Sequence, residues 1–429
     1  MKLIINPPVN QWEHIAQRPA MAKDNLEKEV AAIMESVKRD GDAALRKFAL
    51  QFDGVALENF KVSNQEFSYA TAQVSSVLKQ AIGIAANNIK SFHAAQLQDE
   101  TKIETMPGVT CWRRSVAIEN VGLYIPGGTA PLFSTILMLA IPARIAGCKR
   151  IALCTPCDKN GKVNDAILYT AASMGITEVY KIGGAQAIAA MAYGTASIAR
   201  VHKIFGPGNQ YVTMAKECVQ KNGTAIDLPA GPSELLLIAD ETADADFVAA
   251  DLLSQAEHGT DSQVVLLSSS ESLIAQVFSA INNQLTSLPR AGIAQKCLQN
   301  SFAILFPSID DCLQFSNCYA PEHLIIAVQN ASQYINQIVN AGSVFLGNYS
   351  CESAGDYASG TNHTLPTNGY ARSHSAVSVD SFVKKITYQH ISAGGLQNIG
   401  PAIEKMAEAE QLIAHKNAVS IRLKKLNNA

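Results

Sequence analysis

The stretch ITEVYKIGGAQAIAAMAYGT (residues 176–195) decides the fold class, because a strand-like apolar run passes through a Gly-Gly turn directly into an alanine-rich helical segment. The same order recurs around it. RIALCTPC leads into a helical segment at residues 164–174, and VHKIFGPGN leads into QYVTMAKECVQ. Strands that alternate with helices through short connections are typical of βαβ crossovers, so the sequence predicts an α/β protein with a parallel sheet.

A second series of such units follows the Pro- and Gly-rich break DLPAGPSE (residues 227–234). Its strand candidates are LLLIAD, SQVVLLSSS, SFAILFPS, HLIIAVQ and SVFLGN. Residues 24–97 have helical composition and spacing, and the chain is predicted to turn helical again after Tyr370. Because ligands of open parallel sheets bind beyond the carboxyl ends of the strands, we expect the functional residues at those ends.

Bulk composition excludes several classes of protein. A chain of 429 residues with 48% hydrophobic and 17% charged residues predicts a well-buried globular protein of two or more domains. A net charge of −3 without basic runs gives no indication of a nucleic-acid or membrane partner. The N-terminus lacks a signal-peptide core, so we expect a cytoplasmic protein. Prolines and glycines interrupt the uncharged residues 121–143 and leave only about ten residues of continuous helix around residues 132–141, which we predict to be a buried core helix.

Four polar clusters could carry chemistry. A histidine at a helix C-terminus can simply complement the helix dipole, and an aspartate in a Gly-rich loop commonly makes a turn. Together, however, imidazole, amide and carboxylate groups form a donor set that suits zinc, although no H-E-x-x-H motif is present to name a metal site. The clusters are Asp251, Gln255 and His258 on one predicted helix stripe, Glu322 and His323 in APEHL, Asp356 and His363 in CESAGDYASGTNHTLPT, and Glu410 and His415 in the tail helix.

Glycine-rich turns precede three of the predicted helices. GPGNQY begins like the dinucleotide fingerprint G-x-G-x-x-G, but Tyr211 stands at the third glycine position. YIPGGTAP and KIGGAQAIA could present backbone N–H groups to a phosphate, or could merely reverse the chain. The pattern alone leaves both interpretations open. The lone C-x-x-C pair of Cys154 and Cys157 lacks a second pair for zinc and more commonly represents buried thiols.

Seven stretches in one order together resemble the histidinol dehydrogenase family over roughly residues 24–425. They are VGLYIPGGTAPLFSTILMLAIPARIAG, KIGGAQAIAA, IFGPGNQYVTMAK, DLPAGPSELLLIAD, DLLSQAEHG, APEHL and GDYASGTNHTLPT. The resemblance implies two tandem incomplete Rossmann-like units, at residues 106–230 and 231–370, after a helical segment at residues 1–105. It also implies that residues 371–429 form a small helical arm exchanged within a homodimer.

By the same resemblance, the activity would be oxidation of L-histidinol through the aldehyde to L-histidine with two NAD⁺ and Zn²⁺. Glu322 and His323 would be the acid/base pair, because alcohol oxidation needs a base for the hydroxyl proton and aldehyde oxidation needs an activated water. The implied zinc ligands are Gln255, His258, Asp356 and His415, which also contact the substrate. Further implied contacts are Ser233, His323, His363 and Glu410 to the substrate, and Tyr124, Gln186 and Asn209 to NAD.

Two other functions remain open at this point. A zinc-dependent hydrolase would use Glu322 to activate water on a small amide or ester and would need no nicotinamide. A non-catalytic metal-binding scaffold would keep the fold, and replacing Glu322 or His323 would leave every measurable property of the protein unchanged.

Overall fold

The computed structural model describes residues 1–18, 24–127, 131–228 and 231–428. The chain forms two compact units, one of Met1–Ala95 with Ile118–Ser381 and one of Gln96–Ala117 with Phe382–Ala429. Residues 128–130 and 229–230, which belong to two of the Gly- and Pro-rich stretches singled out above, lie outside the described residues. The second unit therefore joins a segment near residue 100 to the C-terminal residues of the chain. The division into four consecutive segments that the sequence analysis gave stays a proposal.

Strands and helices alternate through most of the described chain, as predicted for an α/β protein. The strands are β1 (Lys2–Ile5), β2 (Lys102–Met106), β3 (Val109–Ala117), β4 (Asn120–Tyr124), β5 (Arg150–Thr155), β6 (Glu178–Lys181), β7 (Lys203–Phe205), β8 (Ala225–Ile226), β9 (Glu234–Ala239), β10 (Gln263–Ser268), β11 (Phe302–Leu305), β12 (His323–Ala327), β13 (Ser343–Leu346) and β14 (Val383–Ile391). The α-helices are α1 (Trp12–Ile15), α2 (Asp24–Asp40), α3 (Asp42–Phe48), α4 (Asn64–Gln73), α5 (Ser76–Ala94), α6 (Ser134–Ala146), α7 (Asp165–Ser173), α8 (Gly184–Tyr193), α9 (Gln210–Gln220), α10 (Ala245–Ala256), α11 (Glu271–Leu285), α12 (Ala291–Gln299), α13 (Ile309–Tyr319), α14 (Glu352–Tyr357), α15 (Ala393–Ala409) and α16 (Ile413–Asn427).

The first unit contains a five-stranded parallel sheet with the order β6-β5-β4-β7-β8. Helix α6 belongs to the uncharged stretch noted in the sequence, and its residues from Ser134 to Ala143 are all buried. It ends at Gly147, whose left-handed φ of 89° terminates the helix. The prediction of a buried core helix is therefore confirmed. Among the described residues, no helix combines the length and the apolar character that a membrane span requires.

The same unit contains a six-stranded parallel sheet with the order β1-β11-β10-β9-β12-β13. Its edge strand β1 comes from the first residues of the chain, which the sequence pattern did not indicate. Helix α10 begins at the capping residue Asp244, whose side chain accepts hydrogen bonds from two backbone N–H groups, and ends at Ala256. His258 consequently follows the helix and does not lie on its stripe, contrary to the prediction.

The second unit contains a three-stranded antiparallel sheet, β14-β3-β2, together with α15 and α16, which pack on each other. Strand β14 contradicts the prediction that the chain turns helical directly after Tyr370. Its sequence VKKITYQHI contains β-branched and aromatic residues, which favour strands, and Tyr388 stacks on Trp112 of β3 with ring centroids 5.3 Å apart. The helical pattern begins only at α15.

The cysteines of CTPC lie at and just beyond the carboxyl end of β5. Cys154 is fully buried, and burial raises the pKa of its thiol to about 12. Burial likewise raises the pKa of Cys157 to about 11. Protonated thiols are poor nucleophiles and poor metal ligands, so the structure favours the interpretation of this pair as packing residues.

Candidate active site

Glu322 and His323 lie at the amino end of β12, beside the amino end of β9. The Glu322 carboxylate accepts a hydrogen bond from the backbone N–H of Glu234 at 2.8 Å. The Nδ1 atom of His323 lies 3.1 Å from the carbonyl oxygen of Glu234. A carbonyl can only accept, so Nδ1 carries a proton and donates it. In the neutral ring, Nε2 is then the free basic nitrogen, and it is buried with no hydrogen-bond partner in the part of the chain that the structure describes.

Helix α14 brings two carboxylates to the same place. Asp356 places an oxygen 3.5 Å from Nε2 of His323, and Glu352 places one 3.8 Å from Nδ1. Ligand atoms of His258, Glu352 and Asp356 all lie within 4.8 Å of one another. Glu352 and Asp356 are four residues apart, so one face of the helix presents both. His258 is exposed, which leaves this cluster open on one side.

Gln255 is the most unusual polar residue of the cluster. It is fully buried near the end of α10, three residues before His258. Neither its amide oxygen nor its amide nitrogen has a hydrogen-bond partner among the described residues. Leaving a buried amide unpaired costs about 1–3 kcal/mol, so such a group normally indicates a missing ligand.

The charges of the cluster also favour a bound cation. Burial raises the pKa of Glu322 to about 8 and that of Glu352 to about 8. Burial alone lowers the pKa of His323, but the carboxyl groups of Glu322 and Glu352 raise it to about 10. Burial opposes the ionisation of Asp356, yet the adjacent His323 lowers its pKa. Three acidic groups surround one central imidazole in a buried site, and a divalent cation bound there would favour the ionised forms of the carboxyl groups.

The residues present therefore fit a zinc ion. Gln255, His258 and Asp356 offer an amide oxygen, an imidazole nitrogen and a carboxylate oxygen, a mixed N/O set that zinc accepts. Glu352 is a further candidate ligand that the sequence analysis did not single out.

His363 connects this cluster to helix α6. One ring nitrogen lies 2.8 Å from the carbonyl oxygen of Asp356, and the other lies 3.0 Å from the Thr135 hydroxyl. Burial lowers the pKa of His363, so the ring is neutral near pH 7. The contact with Thr135 places the first turn of α6, and with it the five-stranded sheet, next to the cluster.

The predicted site residues lie at the carboxyl edge of one parallel sheet and at the amino edge of the other. Tyr124 ends β4, Gln186 lies in the first turn of α8 after β6, and Asn209 caps α9 after β7, so all three lie at the carboxyl edge of the five-stranded sheet as expected. Glu322 and His323 lie at the amino edge of the six-stranded sheet, contrary to the expectation. The reason is local: His323 is the first residue of its strand, and α10 carries Gln255 back to the amino end before β10 begins.

The loop before Asn209 is shaped by a buried ion pair. The Lys216 amino group lies 2.5 Å from an Asp227 oxygen, and both side chains are buried. Lys216 also donates to the carbonyl of Gly206 at 2.9 Å, and Asp227 accepts from the N–H of Gly206 at 2.8 Å. The backbone N–H and the carbonyl of Gly206 are thus both hydrogen-bonded to this ion pair, which fixes the turn between β7 and Asn209.

Gly206→Ala is expected to destabilise the protein strongly. Gly206 has a φ of +123°, and a Cβ there would lie 2.1 Å from the carbonyl oxygen of Tyr124. A strained backbone conformation alone costs on the order of 1–3 kcal/mol, and this clash adds to it. Gly223→Ala is the matched control, because Gly223 also has a positive φ (+83°) but no atom within 4 Å of its Cβ position. Urea unfolding compares the two, and equal losses of stability would contradict the role of the Tyr124 contact.

The remaining predicted site residues are placed as follows. Ser233 directly precedes β9 and is half-buried beside Glu234. Glu410 follows α15, and His415 lies in the first turn of α16. Both belong to the second unit and are exposed.

Comparison with known proteins identifies the family. A family model described as histidinol dehydrogenase matches residues 16–423. The histidinol dehydrogenase of Bacteroides thetaiotaomicron is 55% identical over 426 residues, covering 99% of this chain and 100% of that protein. That of Vibrio parahaemolyticus is 52% identical over 97% of this chain and 96% of its own. The crystal structure of histidinol dehydrogenase from Elizabethkingia anophelis matches with a TM-score of 0.98 at 58% identity, covering 100% of this chain and 99% of that one. The chain belongs to the histidinol dehydrogenase family.

Membership of the histidinol dehydrogenase family makes the chain an oxidoreductase and confirms the resemblance stated from the sequence. Sequence reasoning nevertheless missed three residues near the cluster. Glu352 lies in a loop motif that was examined only for Asp356 and His363, and its spacing of four from Asp356 could have indicated it. Arg18 and Glu234 are far apart in the chain, and no pattern connects them.

Proposed function

We propose that the chain oxidises L-histidinol to L-histidinaldehyde and then to L-histidine, reducing two NAD⁺, in the last two steps of histidine biosynthesis. Family membership supports the reaction class. The observation that carries the proposal is the buried Gln255 amide, which has no hydrogen-bond partner among the described residues and lies three residues before His258, whose ring shares a cluster with Asp356. It supports a site built for a metal-held ligand. The proposal keeps the expectation of a cytoplasmic protein without nucleic-acid or membrane partners.

We infer that Gln255, His258 and Asp356 of one subunit, with His415 from the exchanged arm of the other, hold Zn²⁺. When bound there, zinc supplies a template that orients the imidazole and amine of the substrate. Glu410 from the same arm, together with Ser233 and His363, would contact the substrate from its remaining sides. The exposed position of Glu410 and His415 within their own unit is compatible with a role at a site on another subunit.

In its neutral form, His323 takes the proton from the substrate hydroxyl at Nε2, and a bound cation would favour that form by offsetting the charge of the carboxyl groups that raise the pKa of His323. The hydrogen bond from its Nδ1 to the Glu234 carbonyl fixes the ring so that Nε2 is the free nitrogen. In the second oxidation, Glu322 takes a proton from the water that adds to the aldehyde carbon. Its burial, which raises its pKa, suits a carboxyl group that must exchange a proton near neutral pH.

NAD⁺ would bind at the carboxyl edge of the five-stranded sheet, in contact with Tyr124, Gln186 and Asn209. Asn209 caps the N-terminus of α9, where the positive end of the helix dipole favours a phosphate nearby. The Thr135–His363 contact supports this placement, because it brings the sheet that carries these residues close to His323.

The function is tested by incubating the zinc-loaded protein with L-histidinol and NAD⁺. We expect two NADH for each L-histidine formed, measured by absorbance and by chromatography of the product. A hydrolase would release no NADH and would cleave an ester or amide in the absence of NAD⁺. Absence of NADH between neutral and mildly alkaline pH would reject the proposal.

Arm exchange predicts complementation between two inactive variants. If His415 serves the partner's site, mixing His415→Asn with His323→Asn subunits gives hybrid dimers in which one site carries both substitutions and the other carries neither. Activity of such hybrids is expected to reach about half that of the unmodified dimer. It is measured after dissociation and reassociation, with each variant alone as the control. Verified hybrids without activity would place the arm on its own subunit.

A further inference from the structure

Glu234 makes two backbone contacts that no neighbouring residue duplicates. Its N–H donates to Glu322, and its carbonyl accepts from His323. Both members of the acid/base pair are therefore oriented by the same residue at the start of β9. A small rotation of this residue would turn the Glu322 carboxylate and would also release Nδ1 of His323, which removes the restriction on the tautomer of the ring.

The side chain of Glu234 is held in turn by Arg18. The Nε and Nη2 atoms of Arg18 donate to the two oxygens of Glu234 at 2.9 and 2.6 Å. The backbone N–H of Asn368 donates to the same carboxylate at 2.7 Å. The side chains of Arg18 and Glu234 are 13% and 2% exposed, so this bidentate pair is well shielded from water.

Arg18 also reaches the chain segment that precedes Glu322. Its guanidinium group lies 3.6 Å from the ring centroid of Tyr319 and donates to the Tyr319 carbonyl at 2.8 Å. The guanidinium group thus connects Glu234, the first residue of β9, to the segment that leads into β12. Buried ion pairs commonly add little net stability compared with apolar residues, so stability alone gives a weak reason for this one.

We propose that Arg18 and Glu234 are positioning residues for the two oxidation steps. Arg18 fixes the Glu234 side chain, and the Glu234 backbone then aims Glu322 and Nε2 of His323 at the reacting groups. The inference rests on the proposed function. It assigns a role to a pair that contacts neither the reacting atoms nor the predicted zinc ligands.

The test compares Arg18→Met, Arg18→Lys and Glu234→Gln with the unmodified enzyme. We expect kcat to fall by about 10- to 100-fold for histidinol and for histidinaldehyde, as for other residues that orient a catalytic group. KM for histidinol and the zinc content are expected to stay unchanged, because the metal ligands are not moved. Lysine keeps the charge without the bidentate geometry, so Arg18→Lys is expected to recover part of the kcat lost in Arg18→Met.

A variant with one unpaired buried charge can fail to fold. The double variant Arg18→Met/Glu234→Met removes both charges and keeps the measurement possible. Glu178→Gln is the control, because Glu178 also pairs with an arginine, in the five-stranded sheet, where Nε and Nη2 of Arg150 lie 2.9 and 2.7 Å from one Glu178 oxygen. We expect the double variant to fold with lowered kcat and the control to keep its kcat.

Two failures can be told apart. If the unmodified protein forms no NADH from histidinol, the proposed function is wrong. If it does, and the folded Arg18 and Glu234 variants match its kcat in both oxidations while only their melting temperatures fall, the pair is merely structural and the positioning inference alone is overturned.

Discussion

His323→Asn is expected to lower kcat for histidinol oxidation by about 100- to 10,000-fold, the usual contribution of a positioned general base. Asparagine can still donate to the Glu234 carbonyl, which His323 contacts at 3.1 Å. It cannot take up a proton at the place that Nε2 occupies. The loss is therefore expected in kcat, while KM for histidinol and the amount of bound zinc change little. Steady-state kinetics on the zinc-loaded protein measure both.

Glu322→Gln separates the two halves of the reaction. Its amide cannot accept a proton from water, so we expect the aldehyde step to slow more than the alcohol step. His202→Asn is the control for His323, because His202 is an exposed histidine of the same unit and its side chain lies outside the cluster. Equal kcat values for His323→Asn, His202→Asn and the unmodified enzyme would exclude His323 as the base.

Removal of the metal is expected to abolish histidinol oxidation and to lower stability. Without a cation, the Gln255 amide has no hydrogen-bond partner among the described residues, and the carboxyl groups of Glu352 and Asp356 lie close together in a largely buried site. A ligand present at 100 to 1,000 times its Kd, and bound only by the folded state, stabilises a protein by about 2.7–4.1 kcal/mol. Chelator-treated protein should therefore unfold at a lower temperature, and added Zn²⁺ should restore both properties.

His258→Asn gives the same test without a chelator. We expect this variant to retain less than one zinc per subunit by elemental analysis, whereas His202→Asn retains the full amount. A protein shown to be metal-free that still oxidises histidinol at the original rate would disprove the zinc site.

The pattern of apolar residues, glycines and helix formers in the sequence predicted those parts of the fold that depend on local periodicity. The strand-turn-helix units around Gly183 and Gly206 and the buried helix α6 follow from short-range alternation of apolar residues, glycine and helix formers. Strands β1 and β14 were missed because their pairing partners lie far away in sequence. β14 pairs with β3 across more than two hundred residues, and nothing local records that pairing.

The site residues were predicted on different grounds. They were chosen by residue type and by resemblance to a family, and the structure brings His258, Asp356 and His323 together, with Gln255 three residues before His258. The edge of the sheet on which they lie was predicted wrongly, because the rule for carboxyl ends applies to ligands held by strand-helix turns. The Arg18–Glu234 pair was invisible to sequence reasoning, since an ion pair between residues 216 positions apart leaves no periodic signal.

The acid/base pair lies at the amino edge of the six-stranded sheet, so the opposite rim of that sheet carries neither of its two residues. Loops that follow β9, β10 and β11 leave the six-stranded sheet on the side away from Glu322 and His323. Insertions, deletions or fused peptides at this rim, for instance between β10 and α11, alter segments that hold neither acid/base residue. This rim is where length variation can accumulate during evolution and where a label or an affinity tag can be introduced at little cost to turnover.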